Sequence, residues 1–142
     1  MDKLKLDNQL CFPLYACSKE IIKSYTPFLE KIDLTYTQYL VMLVLWEHDE
    51  INVKNLGKKL FLDSGTLTPL LKKLENKGYI LRKRNTKDER NLIIKITDKG
   101  KIIKNKAEDI PSKISSCLSL TNEEALTLYK ILYKLLNEKK DE

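Results

Sequence analysis

Apolar residues near the start of the chain recur at helical spacing. The positions that share this spacing are Leu10, Leu14, Ile21, Ile22 and Tyr25. Asp7 can cap the helix that they indicate, and we expect the helix to end at Pro27. Pro13 falls in its second turn, where we expect a bend. The pattern predicts an amphipathic first helix over about residues 6–28.

The next stretch is apolar on nearly all sides. It opens at Thr35 and reaches Trp46, and its apolar residues include Tyr39, Leu40, Leu43 and Val44. Such a helix is expected to be largely buried. The polar residues 48–50 end it.

Two short helices and a hairpin follow. We predict the helices at about Val53–Leu60 and Ser64–Lys77, a spacing typical of a helix-turn-helix. The second helix carries leucines at i, i+3, i+4 and i+7, namely Leu67, Leu70, Leu71 and Leu74. Gly78 ends it, and strands at Ile80–Asn85 and Leu92–Ile96 follow. A hairpin directly after the helix pair predicts a winged helix-turn-helix over about residues 35–96.

The C-terminal third returns to helical periodicity. A charged segment from Thr97 is expected to end at Pro111 and to be followed by one further turn. Thr121 and Glu124 form a capping box for the last helix. The apolar positions of these segments are Ile102, Ile103, Ile110, Leu128, Ile131, Leu132, Leu135 and Leu136.

Amphipathic helices at both ends have little central domain to bury against. Pairing of two copies would cover their apolar faces. We therefore expect residues 6–28 and 97–137 to build an intertwined, two-fold symmetric homodimer.

Composition favours a mainly α protein with a small β-wing. The 142 residues are 42% hydrophobic and include 4 Gly and 4 Pro, which suits one domain over residues 1–142 in which helices outweigh strands. The N-terminus has no apolar run of signal-peptide length, and nowhere do 18 uncharged apolar residues follow one another. We expect a cytoplasmic protein with no membrane partner.

The three cysteines are Cys11, Cys17 and Cys117. They form an odd set with no CxxC pair and no nearby histidine cluster, which argues against a disulfide scaffold and a zinc site. We expect reduced thiols at rest, no metal and no cofactor.

The second helix of the helix-turn-helix shows one polar face. With the leucines inward, the residues directed outward are Ser64, Thr66, Thr68, Pro69, Lys72 and Lys73. Short polar groups followed by lysines suit a recognition helix whose N-terminal end enters the major groove of double-stranded DNA. The formal charge of +6 permits such a partner without proving it, and a solvated helix face is the alternative.

The hairpin strengthens the DNA interpretation. Its five cations within nine residues are Arg82, Lys83, Arg84, Lys87 and Arg90. We expect them to meet phosphate and the minor groove, with Asp88 orienting the guanidinium of Arg90. An ordinary charged turn is the alternative, but its position directly after the helix pair favours DNA.

The stretch FLDSGTLTPLLKKLENKGYILRKRNTKDERNLIIKITDKG resembles the winged helix-turn-helix of MarR-family bacterial regulators. With LDNQLCFPLYACSKEI and TYTQYLVMLVLWEH, the chain is similar to the organic-hydroperoxide-resistance repressors (OhrR) of that family. This resemblance implies a repressor of a pseudo-palindromic operator that organic hydroperoxide or a related oxidant inactivates. It also implies that Cys11 is the sensing thiol, that Tyr25 and Tyr36 donate hydrogen bonds to it, and that Cys117 is the resolving cysteine.

The residues around Cys11 are compatible with such a switch. Cys11 lies in the opening turns of the first helix, where the positive end of the helix dipole favours a thiolate. On a continuous helix, Cys17 would stand about 9 Å further along the axis, too far for a disulfide without unwinding. A low-molecular-weight thiol remains an alternative to Cys117, and a small buried hydrophobe is the alternative for Cys11 itself.

Two rival functions can be weighed on the residues. The first is a MarR-type regulator that binds a small aromatic effector near Trp46, Tyr36 and Phe28, with Cys11 merely structural. The second is a thiol peroxidase, which the lack of a CxxC pair and of βαβ alternation disfavours. We expect a regulator and no enzyme.

Overall fold

Helices form most of the described chain. The computed structural model describes residues 2–85 and 88–140, and the side chains of residues 85–91 and 138–140 lie outside that description. The helices are α1 (Cys11–Glu30), α2 (Tyr36–His48), α3 (Val53–Leu60), α4 (Ser64–Asn76), α5 (Asp98–Ala107), α6 (Ile110–Cys117) and α7 (Asn122–Lys140). The strands are β1 (Glu50–Asn52), β2 (Ile80–Asn85) and β3 (Asp88–Ile96). The chain divides into two units, Met1–Ile110 and Pro111–Glu142. The predicted class, mainly α with a small β-wing, is confirmed.

Helix α1 differs from the prediction at both ends. Asp7 lies in a separate 3₁₀ turn, Leu6–Asn8, and the extended backbone of Gln9 keeps that turn out of α1, so the predicted Asp7 cap is wrong. Pro13 falls in the first turn, where a missing N–H breaks no helical hydrogen bond, rather than in the second. The helix also continues through Pro27, and burial of Leu29 anchors its final turn.

Helix α2 begins as predicted. The hydroxyl of Thr35 accepts a hydrogen bond from the backbone N–H of Gln38, whose side chain accepts one from Thr35 in return. Tyr39, Val41, Met42 and Leu45 are buried on this helix. The turn residue Asp49 has a φ of 58° and ends the helix at the predicted polar break.

The helix-turn-helix follows the sequence pattern closely. Helix α3 has the predicted bounds, and α4 is one residue shorter than predicted because Lys77 is its C-cap. The four leucines of α4 are all buried. Gly78 takes a φ of 84° directly after the helix, a conformation that glycine adopts without strain.

The sheet contains one strand more than predicted. Its order is β1-β3-β2, and all neighbours are antiparallel. Strand β1 pairs Glu50 with Lys95 and Asn52 with Ile93, but three residues are too few to show an alternating pattern. Strand β3 starts at Asp88 rather than Leu92, because its pairing with β2 continues to the Asn85–Asp88 pair past an irregularity after Arg84.

The C-terminal helices differ from the prediction at Pro111. Pro111 is the second residue of α6 instead of a terminator, and proline is tolerated there because the N–H groups of a first helical turn have no partner within the helix. In the second unit, Thr121 and Glu124 form the predicted capping box at the start of α7. Large apolar side chains of α7 remain exposed in the single chain, including Leu126, Tyr129, Ile131 and Leu135.

Candidate DNA-binding surface and thiol site

The outer face of α4 carries the residues that the sequence predicted. Ser64, Thr66, Thr68, Pro69, Lys72 and Lys73 are all exposed. They lie opposite the four buried leucines, which hold α4 against the core. The outer face of α4 is therefore accessible enough to enter a DNA groove.

The first turn of α4 already uses some of its polar groups. Asp63 caps the helix by accepting the backbone N–H of Thr66 at 2.7 Å. This hydrogen bond lowers the pKa of the Asp63 carboxyl, so the cap is anionic at neutral pH. The hydroxyl of Thr68 donates to the carbonyl of Ser64 at 2.8 Å, which leaves its lone pairs to accept from a base edge. Because the Thr66 backbone N–H already donates to Asp63, it is not available to bind a phosphate.

The wing presents fewer available cations than the sequence predicted. Arg82 donates through Nε and Nη2 to Oε1 of Glu75 at 3.2 and 3.0 Å, so it binds the end of α4 instead of pointing to phosphate. Lys83 and Arg84 are exposed. The side chains predicted at the tip, Lys87, Asp88 and Arg90, lie outside the described residues.

Glu75 is a residue that the sequence interpretation missed. Its carboxylate joins the last turn of α4 to the first strand of the wing. Hydrogen bonds from Arg82 hold the pKa of Glu75 below its ordinary value. The available signal was an acid at the end of a basic helix, seven residues before an arginine on the next element.

Cys11 is the first residue of α1 and is exposed. This excludes, for the single chain, the alternative that Cys11 is a small buried hydrophobe. Cys17 is also exposed and lies on the same continuous helix, so the six-residue spacing places it about 9 Å along the axis from Cys11. Cys117 is exposed at the last position of α6. All three are free thiols.

Tyr25 and Tyr36 lie together, as the predicted pair requires. Their ring centroids are 4.9 Å apart, and Tyr39 is 5.8 Å from Tyr25; these three residues are the tyrosine cluster. Burial raises the pKa of Tyr25 and of Tyr36, and the neighbouring tyrosines raise that of Tyr25 further. The hydroxyls therefore stay protonated at neutral pH and are able to donate hydrogen bonds.

The tyrosine cluster is far from Cys11 in one chain. Tyr25 follows Cys11 by fourteen residues on one continuous helix, which separates them by about 21 Å at 1.5 Å per residue. The expected hydrogen bonds from Tyr25 and Tyr36 to Cys11 therefore do not form within one chain. A straight helix keeps residues fourteen positions apart at opposite ends.

Two of the three rings proposed for an aromatic effector, those of Trp46 and Tyr36, are engaged in packing. The indole N–H of Trp46 donates to the carbonyl of Gly100 at 2.9 Å, and its ring meets that of Tyr39 edge-on at 6.2 Å. Tyr36 belongs to the tyrosine cluster. An open groove elsewhere is lined by His48, Glu50, Ile51, Asn52, Asn55, Lys58 and Lys59. None of the three proposed aromatic residues contributes to its lining.

Two negative findings apply to the described part of the chain. No group of three or more His, Cys, Asp or Glu side chains there is arranged to hold a metal ion. None of the described helices combines the length and apolar character that a membrane crossing needs.

Comparisons with known proteins agree with this geometry. Residues 23–107 match the family of the transcriptional regulator SarA/Rot. The chain is similar to a mutant of Escherichia coli MarR solved with operator DNA, with 26% identity, a TM-score of 0.75, and coverage of 90% of this chain and 99% of that one. It is 50% identical to the organic hydroperoxide resistance transcriptional regulator of Bacillus subtilis strain 168 over 135 residues, which are 95% of this chain and 92% of the relative. The chain belongs to the MarR family. Within that family it falls in the OhrR group, as its sequence resemblance predicted.

A second relative has been solved in more than one state. AbfR of Staphylococcus epidermidis, reduced and bound to DNA, is 36% identical to this chain with a TM-score of 0.82, covering 99% of this chain and 96% of AbfR. Its disulfide form gives 37% identity and a TM-score of 0.68, with coverage of 96% and 93%. This chain, like these relatives, is a DNA-binding transcriptional regulator. Its winged helix-turn-helix is formed by α3, α4 and the β2–β3 hairpin.

Proposed function

We propose that this MarR-family regulator is a cytoplasmic, redox-sensing repressor that leaves its operator when Cys11 is oxidised by an organic hydroperoxide. The observation that carries the proposal is the exposed thiol at the first position of α1, where an oxidant can reach it. The names of the relatives support it, since one is named for organic hydroperoxide resistance and another has reduced and disulfide forms.

The chemistry starts with attack of the Cys11 thiolate on the peroxide. Sulfur takes the distal oxygen, the O–O bond breaks, and the alkoxide leaves and is protonated to the alcohol. The product is a sulfenic acid on Cys11. A second thiol then attacks this sulfur, which forms a disulfide and releases water. We propose Cys117 as that thiol, with a small cellular thiol as the other candidate, because Cys17 lies too far along the same helix.

The tyrosine cluster enters the proposal through a second copy of the chain. Because about 21 Å separates Tyr25 from Cys11 within α1, the donors for a given thiolate have to come from the other subunit. Two neutral hydroxyls, from Tyr25 and Tyr36, would stabilise the thiolate and hold it ready for oxidation.

A homodimer accounts for apolar surface that the single chain leaves exposed. Phe12, Leu14 and Tyr15 on α1 are all exposed, and α7 has exposed apolar residues of its own, among them Ile131 and Leu135. Exposed apolar side chains in such numbers are typical of a protein interface. Two recognition helices related by a two-fold axis would read a pseudo-palindromic operator, whose half-sites lie about 34 to 36 Å apart. A disulfide that changes this separation weakens binding to both half-sites at once.

The decisive experiment is a gel shift with DNA from the gene's own upstream region. Reduced protein is titrated before and after about one equivalent of cumene hydroperoxide, for wild type, Cys11→Ser, and Cys17→Ser as the matched control. We expect peroxide to abolish wild-type and Cys17→Ser binding, dithiothreitol to restore it, and Cys11→Ser to ignore peroxide. Binding indifferent to peroxide in wild type would contradict the sensor proposal and would turn attention to a small-molecule effector.

A peroxide assay completes this test. Without added thiol, we expect a regulator to consume about one equivalent of peroxide per subunit. Cys117→Ser should stop at the sulfenic acid, which dimedone labels, if Cys117 resolves it. Peroxide consumption with excess thiol at a rate typical of an enzyme, about one turnover per second or faster, would contradict the expectation that the protein is no enzyme.

A further inference from the structure

Lys77 joins the end of the recognition helix α4 to the turn between α1 and α2. Its ammonium nitrogen lies 2.8 Å from the carbonyl oxygen of Asp33, 2.9 Å from Oε1 of Gln38 and 3.3 Å from Oδ1 of Asp33. The three N–H groups of the ammonium thus have three acceptors. Since Lys77 is the C-cap of α4, these contacts fix that end of the helix.

Gln38 makes this contact rigid. It is the one buried polar side chain among the described residues, with 2% exposure. Its Oε1 atom accepts both from the Lys77 ammonium and, at 3.1 Å, from the backbone N–H of Thr35. A buried acceptor that loses one of its donors is costly, so the Gln38 amide and Lys77 hold each other in place.

The segment after α4 has further anchors. The hydroxyl of Tyr79 donates to the carbonyl of Ile32 at 3.3 Å, in the same α1–α2 turn. The ammonium of Lys99 donates to the carbonyl of Lys77 at 2.8 Å. The C-terminal end of α4 is therefore tied to the α1–α2 turn at two residues, Lys77 and Tyr79.

The same turn of α2 carries part of the tyrosine cluster. Tyr36 is the first residue of α2, two positions before Gln38, and its ring packs against Tyr25 of α1. A shift of Tyr36 moves the first turn of α2, and with it the acceptor that holds Lys77. The structure thus links the tyrosine cluster to the recognition helix through a short set of direct contacts.

We propose that Lys77 is a positioning residue for DNA binding, which couples the placement of the tyrosine cluster to the placement of α4. This inference rests on the proposed function only for its physiological input, oxidation at Cys11. The coupling itself belongs to the reduced protein and is measurable without any oxidant.

A double-mutant cycle in reduced protein tests the coupling. Kd for the upstream DNA is measured with dithiothreitol present for wild type, Lys77→Met, Tyr36→Leu and the double variant. If Lys77 transmits the position of Tyr36, the two fold-changes in Kd do not multiply, and the double variant departs from their product by about threefold or more. Fold-changes that multiply within error would overturn the proposal.

Lys104→Met is the matched control. Lys104 is an exposed lysine of α5, so its substitution removes the same charge without touching the α1–α2 turn. Its fold-change should multiply with that of Tyr36→Leu. If Lys104→Met departs from the product as far as Lys77→Met does, the effect is a general loss of charge and the proposal fails.

Substitutions at Gln38 keep the test decisive if Lys77→Met does not fold. Gln38→Glu retains an acceptor for Lys77 and for the Thr35 amide, while Gln38→Met removes it at similar volume. We expect Gln38→Met to be coupled to Tyr36→Leu and Gln38→Glu to bind DNA nearly as wild type does. Equal effects of the two substitutions would show that the acceptor is irrelevant and would overturn the proposal.

An oxidation arm separates the two proposals. For wild type and for Lys77→Met, the Kd after one equivalent of cumene hydroperoxide is divided by the Kd before it. We expect this ratio to be at least about threefold smaller for the variant than for wild type. An unresponsive wild type would contradict the proposed function, while the reduced-protein cycle would still decide the role of Lys77.

Discussion

Arg82 and Glu75 form a bidentate contact between the recognition helix and the wing. The guanidinium donates twice to Oε1 of Glu75, at 3.2 and 3.0 Å, and the main-chain N–H of Arg82 donates to Oε2 at 3.1 Å. Both carboxylate oxygens are thus used by one residue of β2. The root of the wing is therefore fixed to the last turn of α4.

Removal of either partner should weaken both stability and DNA binding. Because each side chain keeps about 30% exposure, solvent screens the pair, and we expect a coupling free energy of about 1 kcal/mol. Urea unfolding of Glu75→Ala, Arg82→Ala and the double variant measures it. Additive changes in the free energy of unfolding would contradict a direct interaction.

The DNA affinity of Glu75→Ala gives a second, sharper prediction. Loss of an acid near a DNA-binding surface should tighten binding if only net charge mattered. We expect Kd to rise about fivefold instead, the equivalent of about 1 kcal/mol, because the wing loses its attachment to α4. A lower Kd would show that Glu75 acts by repulsion alone.

Acid should weaken the contribution of Glu75. Its pKa is lowered in the folded protein, so its stabilising effect is full above the ordinary glutamate pKa of about 4.3 and is lost as pH falls through the lower folded value. The gap in unfolding free energy between wild type and Glu75→Gln should therefore narrow from pH 6 to pH 3. A gap that stays constant over this range would exclude ionisation as its source.

Gly100 should not tolerate a side chain. A Cβ atom there would lie 2.4 Å from the carbonyl oxygen of Tyr79 and 2.8 Å from Cγ1 of Ile96. We expect Gly100→Ala to destabilise the fold by about 2 kcal/mol, and the fluorescence of Trp46, which bonds the Gly100 carbonyl, to report it on thermal unfolding. At Gly65 the nearest atom is 3.4 Å away, so Gly65→Ala serves as the tolerated control. Equal melting curves for the two variants would contradict the crowding at Gly100.

Lys72 and Lys73 should contribute to the salt dependence of DNA binding. Each is exposed on the outer face of α4, where it can meet a phosphate. We expect Lys72→Gln or Lys73→Gln to lower the slope of log Kd against log salt by about one for each phosphate that the lysine neutralises, and so by about two in a dimer. Lys104→Gln on α5 should leave the slope unchanged. An unchanged slope for both α4 variants would show that neither lysine neutralises a DNA phosphate.

The sequence alone determined the elements whose signals are local. The bounds of α3, the Thr35 and Thr121 caps and the inward leucines of α4 follow from hydrogen bonds and periodicities that span at most a few residues. The winged helix-turn-helix and the outward face of α4 were therefore predictable. The proline effects were not, since Pro13 and Pro111 fall in first turns and Pro27 lies within α1.

Tertiary structure decided which side chains meet. Strand β1 forms by pairing with β3. Arg82, which the sequence predicted to meet phosphate, binds Glu75 instead. Lys77 meets Gln38 across 39 positions of sequence, whereas Tyr25 and Cys11 on one helix stay far apart. The length of α1 keeps Cys11 and Tyr25 apart although they belong to the same helix. Tertiary packing brings Lys77 and Gln38 together although they are distant in sequence. For this reason local patterns predicted the DNA-binding elements, while the contacts that position them had to be observed.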